Sequence, residues 1–357
     1  ICAQAGAGKT TLLAQWLAER ECPQPSAWLS LDEHDNDPVI FLHYLIAAVR
    51  TASPHSCEKT FNLLSAPKLP PVRAITAALV NELDDLDVVS SEARACSASG
   101  LVLALDDYHQ ITEPEIHEIL TNLVEHLPQG VHLALATRTD PPLPLARWRA
   151  RREMTEVRSA DLRFTLQEAH ALLEGTTGRE MNSETVRILE DKTEGWVVGL
   201  RLAALSMRAR RDQEAFAQGF RGTSSDLIAE YLVNEVLARQ LPEIQDSLLR
   251  TSILDRFCAP LCEALTEVPA AKGQQVIEWI AKSNLFLVSI DEEGRWYRYH
   301  HLFRDFLRHE LSQQTSAAGI SELHTRAATW FAEHRLTDEA LHHFLAAGDT
   351  AAAADLV

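Results

Sequence analysis

Up to about residue 160, short continuous apolar runs alternate with stretches whose apolar positions recur every three or four residues. The continuous runs are Ala27-Trp-Leu-Ser-Leu31, Leu101-Val-Leu-Ala-Leu105 and Val131-His-Leu-Ala-Leu-Ala136. Such runs suit strands buried on both faces of a parallel sheet. Between them, the stretch from Thr11 to Arg20 sets Leu12, Leu13, Trp16 and Leu17 on one helical face. Asp37-Pro38 opens a second helix, reaching Arg50, by N-cap and first-turn-proline logic, and a third runs from about Val72 to Leu86. The segment from Asp87 to Gly100 is rich in Ser and charge and reads as a surface insertion. The alternation predicts an α/β core, a mostly parallel sheet with helices on both faces that closes near Arg158.

Beyond Arg163 strand signals nearly vanish, and helices are expected over Thr165–Glu174, Ser183–Lys192, Trp196–Arg211, Ser224–Gln240 and Pro242–Thr251. Short helices around Leu261–Leu265 and Gln275–Ser283 then precede Leu285–Ile290, a turn at Asp291-Glu-Glu-Gly294, and Trp296–Tyr299. That is a hairpin pattern, and helices followed by a two-stranded wing suggest a winged-helix domain closed by the helix His301–Arg308. Ser321–His334, Asp338–Ala347 and a helix from Thr350 onward resemble the start of a tetratricopeptide-like array. The expected division is therefore 1–160 for the α/β core, 161–251 for a helical subdomain, 252–315 for the winged helix and 316–357 for helical repeats.

Composition narrows the class. The 357 residues carry 33 Lys plus Arg against 51 Asp plus Glu, a net charge of −18, with only 14 Gly and 15 Pro. Few turn formers beside abundant Ala, Leu and Glu fit a helix-rich fold and exclude collagen-like and disordered classes. The excess of acid opposes tight binding of a nucleic-acid backbone by this stretch, so any DNA contact is assigned to a region outside it. No apolar window is long enough to span a bilayer, and the six scattered cysteines make no disulfide framework, which points to a reducing cytoplasm. The chain opens at Ile1, close before a motif that should follow a whole strand, and is expected to be an internal piece of a longer protein.

Two motifs carry chemistry. Residues 3–10 read Ala-Gln-Ala-Gly-Ala-Gly-Lys-Thr, a phosphate loop in which Ala3 replaces the leading glycine. The backbone N–H groups of Ala5, Gly6, Ala7 and Gly8 can curl around phosphate, with Thr11 near the α-phosphate. Lys9 reaches the β- and γ-phosphates, and the Thr10 hydroxyl is placed to ligate Mg²⁺. The strand from Leu101 to Leu105 ends in Asp106-Asp107, a Walker-B pattern. There Asp106 is assigned to Mg²⁺ and Asp107 to the attacking water. Arg138, at the end of the third strand, is placed to sense the γ-phosphate if that strand neighbours the phosphate-loop strand. The Arg147, Arg149, Arg151 and Arg152 cluster reads as a solvated helix face. Neither His300, His301 and His309 nor Cys258 and Cys262 have the paired spacing of a structural zinc site.

The sequence resembles the MalT-like large ATP-binding regulators of the LuxR class, a branch of the STAND P-loop NTPases. The likeness rests on the phosphate loop, Ala27-Trp-Leu-Ser-Leu-Asp-Glu-His-Asp-Asn-Asp37, Leu103-Ala-Leu-Asp-Asp-Tyr-His109, Thr137-Arg138, Asp161-Leu-Arg-Phe-Thr165, Glu194-Gly-Trp-Val-Val-Gly-Leu200, Leu249-Leu-Arg-Thr-Ser252 and Arg298-Tyr-His-His-Leu-Phe303. It implies an ATP/ADP switch with Mg²⁺, a helical-repeat sensor for an inducer, homo-oligomerisation when active, and a C-terminal helix-turn-helix beyond Val357. It further implies that His300 contacts the β-phosphate of bound ADP and helps hold a closed state. Where many STAND proteins carry Gly-x-Pro near the adenine, this chain reads Gly195-Trp196-Val197. A steadily cycling ATPase, or a repeat scaffold fused to another effector such as a kinase, are the competing expectations.

Overall fold

The computed structural model describes residues 1–19, 25–66, 68–86, 100–208, 212–221, 226–266, 272–291 and 293–356. The expected insertion at 87–100, with Cys96, falls almost wholly outside them, as does Cys22. The chain divides into two compact units, Ile1–Ala3 with Gly8–Leu162, and Gln4–Ala7 with Arg163–Val357.

The first unit is built from α1 (Lys9–Ala18), β1 (Ser26–Ser30), α2 (Pro38–Ala52), α3 (Glu58–Leu64), α4 (Val72–Asp84), β2 (Leu101–Asp106), α5 (Pro114–Glu125), β3 (Val131–Leu135) and α6 (Leu145–Arg151). The strands are parallel in the order β1-β2-β3, with Leu103 opposite both Ala27 and Leu133. Every residue of β2 is buried. Its alternation explains why both faces are covered. Leu101, Leu103 and Leu105 join Phe41, Leu45 and Val49 of α2, Leu79 of α4 and Ile116, Ile119 and Leu120 of α5 in one cluster, while Ala104 joins Leu13 of α1 and Ala136 in another. Cys2 forms parallel bridges to Thr137 and to Arg158, which extends the sheet past β3 to the expected closing point.

Three details differ from the sequence reading. Helix α1 buries Leu13, but Leu12 and Trp16 are 36% and 47% exposed, so the apolar stripe is only partly used. Helices α3 and α5 were not anticipated. The first of them starts at Cys57, whose φ is +56° and whose side chain makes no capping bond. The carboxylate of Glu82, on α4, accepts instead from the N–H groups of Lys59 and Thr60, each at 2.8 Å. A cap supplied from 22 residues away in sequence leaves no local start signal.

The second unit is helical apart from its wing. It contains α7 (Leu166–Thr177), α8 (Ser183–Thr193), α9 (Val197–Arg208), α10 (Gln213–Gly219), α11 (Asp226–Leu232), α12 (Pro242–Thr251), α13 (Ala259–Leu265), α14 (Gly273–Lys282), β4 (Leu287–Ser289), β5 (Tyr297–Tyr299), α15 (His301–Gln314), α16 (Ala317–Glu333), α17 (Thr337–Ala347) and α18 (Thr350–Asp355). Thr165 and Glu168 cap α7 reciprocally, and the Asn182 side chain caps α8. The helix expected to run unbroken to Gln240 instead passes from α11 into a π turn, Val233–Leu237, in which Ala238 N–H donates to Val233 O at 2.9 Å. Helix α16 begins earlier than expected because Ser316 Oγ accepts from Gly319 N–H. Strands β4 and β5 pair antiparallel, Leu287 opposite Tyr299, and Phe257 bridges Tyr297, adding a third short segment to the predicted two-stranded wing. Phe257, Tyr299, Phe303, Phe306 and Phe331 are all fully buried and form the aromatic centre of this core.

Candidate functional site

The phosphate-loop segment enters the site through the sheet. Ala3 N–H donates to Thr137 O at 3.3 Å and Cys2 N–H to Val157 O at 2.9 Å, so the loop leaves the sheet beside the end of β3. That adjacency is the condition under which Arg138 reaches the loop. Arg138 is half-buried, and its charge is one of the influences that depress Lys9.

At the end of the loop, Gly8 has a φ of +89° and opens α1 without any side-chain cap, which leaves the first turn of the helix to meet an anion. The Lys9 side chain is buried, and its Nζ donates to Ala3 O at 2.9 Å. Burial, followed by the nearby Arg138 charge, pulls the ammonium down to about 8, although Asp107, Cys2 and Asp106 act in the opposite sense. Thr10 Oγ1 donates to Asp106 Oδ1 at 3.1 Å. The same carboxylate oxygen accepts Asp107 N–H at 3.0 Å, and Asp106 is buried. Asp107 turns out of the strand at φ +56°, leaving its side chain 44% exposed, with Oδ1 3.7 Å from His109 Nδ1. Behind it, Tyr108 N–H donates to Ala136 O at 3.0 Å, and the buried Tyr108 hydroxyl lies 2.6 Å from His117 Nδ1. These contacts anchor the strand end that presents both acids.

The first unit thus brings Lys9, Thr10, Asp106, Asp107 and Arg138 together. Thr11 is exposed on the first turn of α1. Ala5, Gly6 and Ala7 lie in the second unit with the helices that follow Arg163. There Trp196 Nε1 donates to Ala5 O at 3.1 Å, and Val198 N–H donates to Gly6 O at 3.3 Å. Gly6, at φ +68°, has no room for a side chain, because a Cβ would fall 2.7 Å from Val198 Cγ2 and 2.8 Å from the Tyr231 hydroxyl.

His300 sits at the mouth of α15, 4% exposed, with Nε2 2.6 Å from Thr193 O. Its ring packs edge-on against Trp196 and Phe286. Burial holds the imidazole down at about 4, against the pull of Glu194. With Nε2–H donating to Thr193 O, Nδ1 carries the lone pair, and this buried atom has no partner among the described residues. A neutral His300 in this tautomer therefore cannot donate to phosphate; it can do so only after taking up a proton.

The Gly195-Trp196 turn holds residues that the sequence reading left without a role. Glu194, at φ +49°, accepts two hydrogen bonds from Arg298 at 2.8 and 3.0 Å and one from His301 N–H at 3.1 Å. Burial pushes this carboxyl up, but the Arg298 hydrogen bonds, the His300 charge and the His301 N–H outweigh it and hold it at about 2. The signal was present in the Glu194-Gly-Trp motif, though the partner lies 104 residues away. The arginine cluster of α6 is, as expected, a solvated face: Arg147 pairs with Glu125, Arg149 with Glu156 and Arg151 with Glu153.

A nucleotide and Mg²⁺ fit these residues. The uncapped helix start at Gly8, the buried ammonium and the Thr10–Asp106 pair are the donor set that phosphate and a hard cation require.

Comparison with known proteins bears on the fold and the family. The family model of the MalT winged helix domain matches residues 233–319, starting upstream of the 252–315 expected for that module. The HTH-type transcriptional regulator MalT of Serratia proteamaculans is 36% identical over 99% of this chain and 37% of its own length. The serine/threonine-protein kinase PknK of Mycobacterium tuberculosis is 34% identical over all of this chain and 31% of its own length. The chain therefore spans about a third of the length of these relatives. Among solved structures, a Walker-type ATPase of Pyrococcus abyssi superposes with a TM-score of 0.56 over 86% of this chain and 89% of its own, at 14% identity, which shows a shared fold. With the phosphate loop, the strand-end acids and the wing all in place, the chain is MalT-like: it carries a MalT-type winged helix behind a P-loop α/β core and is similar over its whole length to MalT regulators.

Proposed function

We propose that the chain is the nucleotide-responsive switch of a larger regulator, binding ATP or ADP with Mg²⁺ and hydrolysing ATP slowly to reset itself. The observation that carries this reading is the convergence of the buried Lys9 and Asp106 with the exposed Thr10 hydroxyl at the start of α1. The backbone of Ala5 to Gly8, with Lys9, Thr10 and Thr11, would hold the phosphates, and Thr10 with Asp106 would hold the metal. Bound Mg²⁺ supplies charge neutralisation on the phosphate oxygens. Asp107 orients the attacking water and takes its proton, and Arg138 meets the γ-phosphate. His300, once protonated, donates to the β-phosphate of ADP and steadies the closed form. Because Ala5 and Gly6 are bonded to Trp196 and Val198, a rearrangement of the loop on nucleotide exchange is felt at α9.

A switch requires that ATP and an activating signal bind one conformation more tightly than the other, since equal affinities shift nothing. The signal is assigned to an inducer on the helical repeats that begin with α16, and the output to self-association and to DNA binding by a region outside this chain. That one relative is named a transcriptional regulator and another a kinase supports placing the effector outside this stretch. Titration of a fluorescent ADP tests the reading. Mg²⁺ should tighten binding in the wild type and should lose its effect in Thr10→Ala and Asp106→Asn. Absence of binding to the wild type would overturn it.

A further inference from the structure

Where α15, α16 and α17 meet the turn after α12, the second unit forms a cavity open to solvent on one side, of about 240 Å³, lined by Ile253, Arg308, Leu311, Ile320, His324 and His342. Half of this wall is aliphatic and half is basic. On the scale of a cavity of about 150 Å³ that admits benzene, the space holds roughly ten non-hydrogen atoms.

The basic groups are held in position. Arg308 Nε donates to Ser252 O at 2.7 Å, and Nη2 donates to Ile253 O at 2.9 Å and Asp255 Oδ1 at 3.1 Å. Nη1 makes no hydrogen bond among the described residues, which leaves one edge of a pre-oriented guanidinium uncommitted. His324 Nδ1 lies 2.8 Å from His343 Nδ1, so one nitrogen carries the proton and the other the lone pair. His343 is buried, stacked on Phe331 with ring centres 5.5 Å apart, and its neighbour His342 meets it edge-on. Burial keeps His343 at about 3 and lowers His324. The other ionisable groups bearing on the cluster are Arg304, Asp305, Asp255 and His342, and Asp255 is 71% exposed. Arg308 is then the permanent charge of the cavity wall.

A bare phosphate would leave Ile253, Leu311 and Ile320 uncovered, and a neutral ligand would leave the Arg308 edge unmatched. We propose that this cavity binds a small aliphatic carboxylate, its charge on Arg308 and the His324 and His342 edge and its apolar body against Ile253, Leu311 and Ile320. Such a ligand touches the last helix of the wing and the first repeat helices at once. That its occupancy biases the switch rests on the function proposed above; the binding itself does not.

Isothermal titration of the protein with 4-methylpentanoate tests this, with 4-methylpentanamide and inorganic phosphate as comparison probes. The carboxylate should bind, and each comparison probe should bind at least about tenfold more weakly, since each forgoes either the charge-assisted hydrogen bonds or the apolar contact. Because the charge-assisted bonds need the ligand's carboxylate, binding should weaken as pH falls below about 5 and that group takes up a proton. Arg308→Gln should lose binding. Because Arg308 also ties down two backbone carbonyls, Ile320→Phe provides a second variant, filling the cavity while leaving Arg308 in place. It too should abolish binding, with an unchanged far-ultraviolet spectrum. No heat with the carboxylate, equal affinity for the amide or for phosphate, or full binding to Ile320→Phe would overturn the proposal. Repeating the titration on Lys9→Ala keeps its failure distinct from any failure of the nucleotide reading.

Discussion

Lys9 is buried for a ligand, and the cost of that burial is measurable. Burial and the Arg138 charge bring its ammonium from an ordinary 10.5 to about 8. A difference of that size corresponds to about 3 kcal/mol by which the folded state disfavours the charged form. Below pH 8 the folded protein carries the whole penalty. Between pH 8 and 10.5 the unfolded chain holds a proton that the folded chain has released, so this group makes stability rise with pH. Lys9→Met removes the penalty but also removes the hydrogen bond from Nζ to Ala3 O, worth about 1 kcal/mol. At neutral pH and without nucleotide, the variant should be more stable by about 2 kcal/mol, a rise in Tm of roughly 3 °C for a chain of this length. Nucleotide should raise the Tm of the wild type and leave that of the variant unchanged, because phosphate offsets a charge only where one exists. Thermal unfolding of nucleotide-stripped protein from pH 7 to 10.5 reads all three effects. A variant no more stable than wild type at pH 7, or an advantage that does not shrink toward pH 10.5, would refute the reasoning.

The remaining predictions address single roles. Asp107→Asn should retain ATP but hydrolyse it about a hundredfold more slowly, or less, since asparagine tolerates the positive φ and loses only the base; single-turnover hydrolysis at wild-type rate would remove Asp107 from that role. His300→Gln should speed release of fluorescent ADP. In the wild type, release should slow only as pH falls toward 4, because Nδ1 donates only when protonated and burial holds the ring at about 4, and a flat wild-type profile down to that pH would exclude His300. Glu194→Gln should lose the stability that the carboxylate supplies above about 4.5, up to about 3 kcal/mol. That contribution is present at neutral pH and disappears as pH falls toward 2, so denaturant midpoints of the two proteins should converge in acid.

The parts of this molecule that were legible in the sequence are those coded locally. β2 is a run of five apolar residues ending in two acids, and both its burial and the placement of Asp106 beside Thr10 follow from that pattern. The Pro242–Thr251 helix carries proline at its first position and was bounded as found. What was missed depends on partners distant in sequence. Helix α3 takes its cap from Glu82, Glu194 takes its partner from β5, and the π turn after α11 interrupts a periodicity that no local residue breaks. The same holds for His300. Its sequence context marks it as a site residue, but only the fold reveals that Thr193 O occupies one ring nitrogen and leaves the other buried without a partner among the described residues.

The central claim is that the chain holds a nucleotide through Lys9 and its neighbours. Its most direct test is to purify the full-length protein, denature it, and identify the released nucleotide by chromatography, with Lys9→Ala alongside. The account predicts close to one ADP per wild-type chain and none from the variant. A wild-type protein that releases nothing and fails to bind added ATP or ADP, or a variant that retains as much nucleotide as wild type, would contradict it.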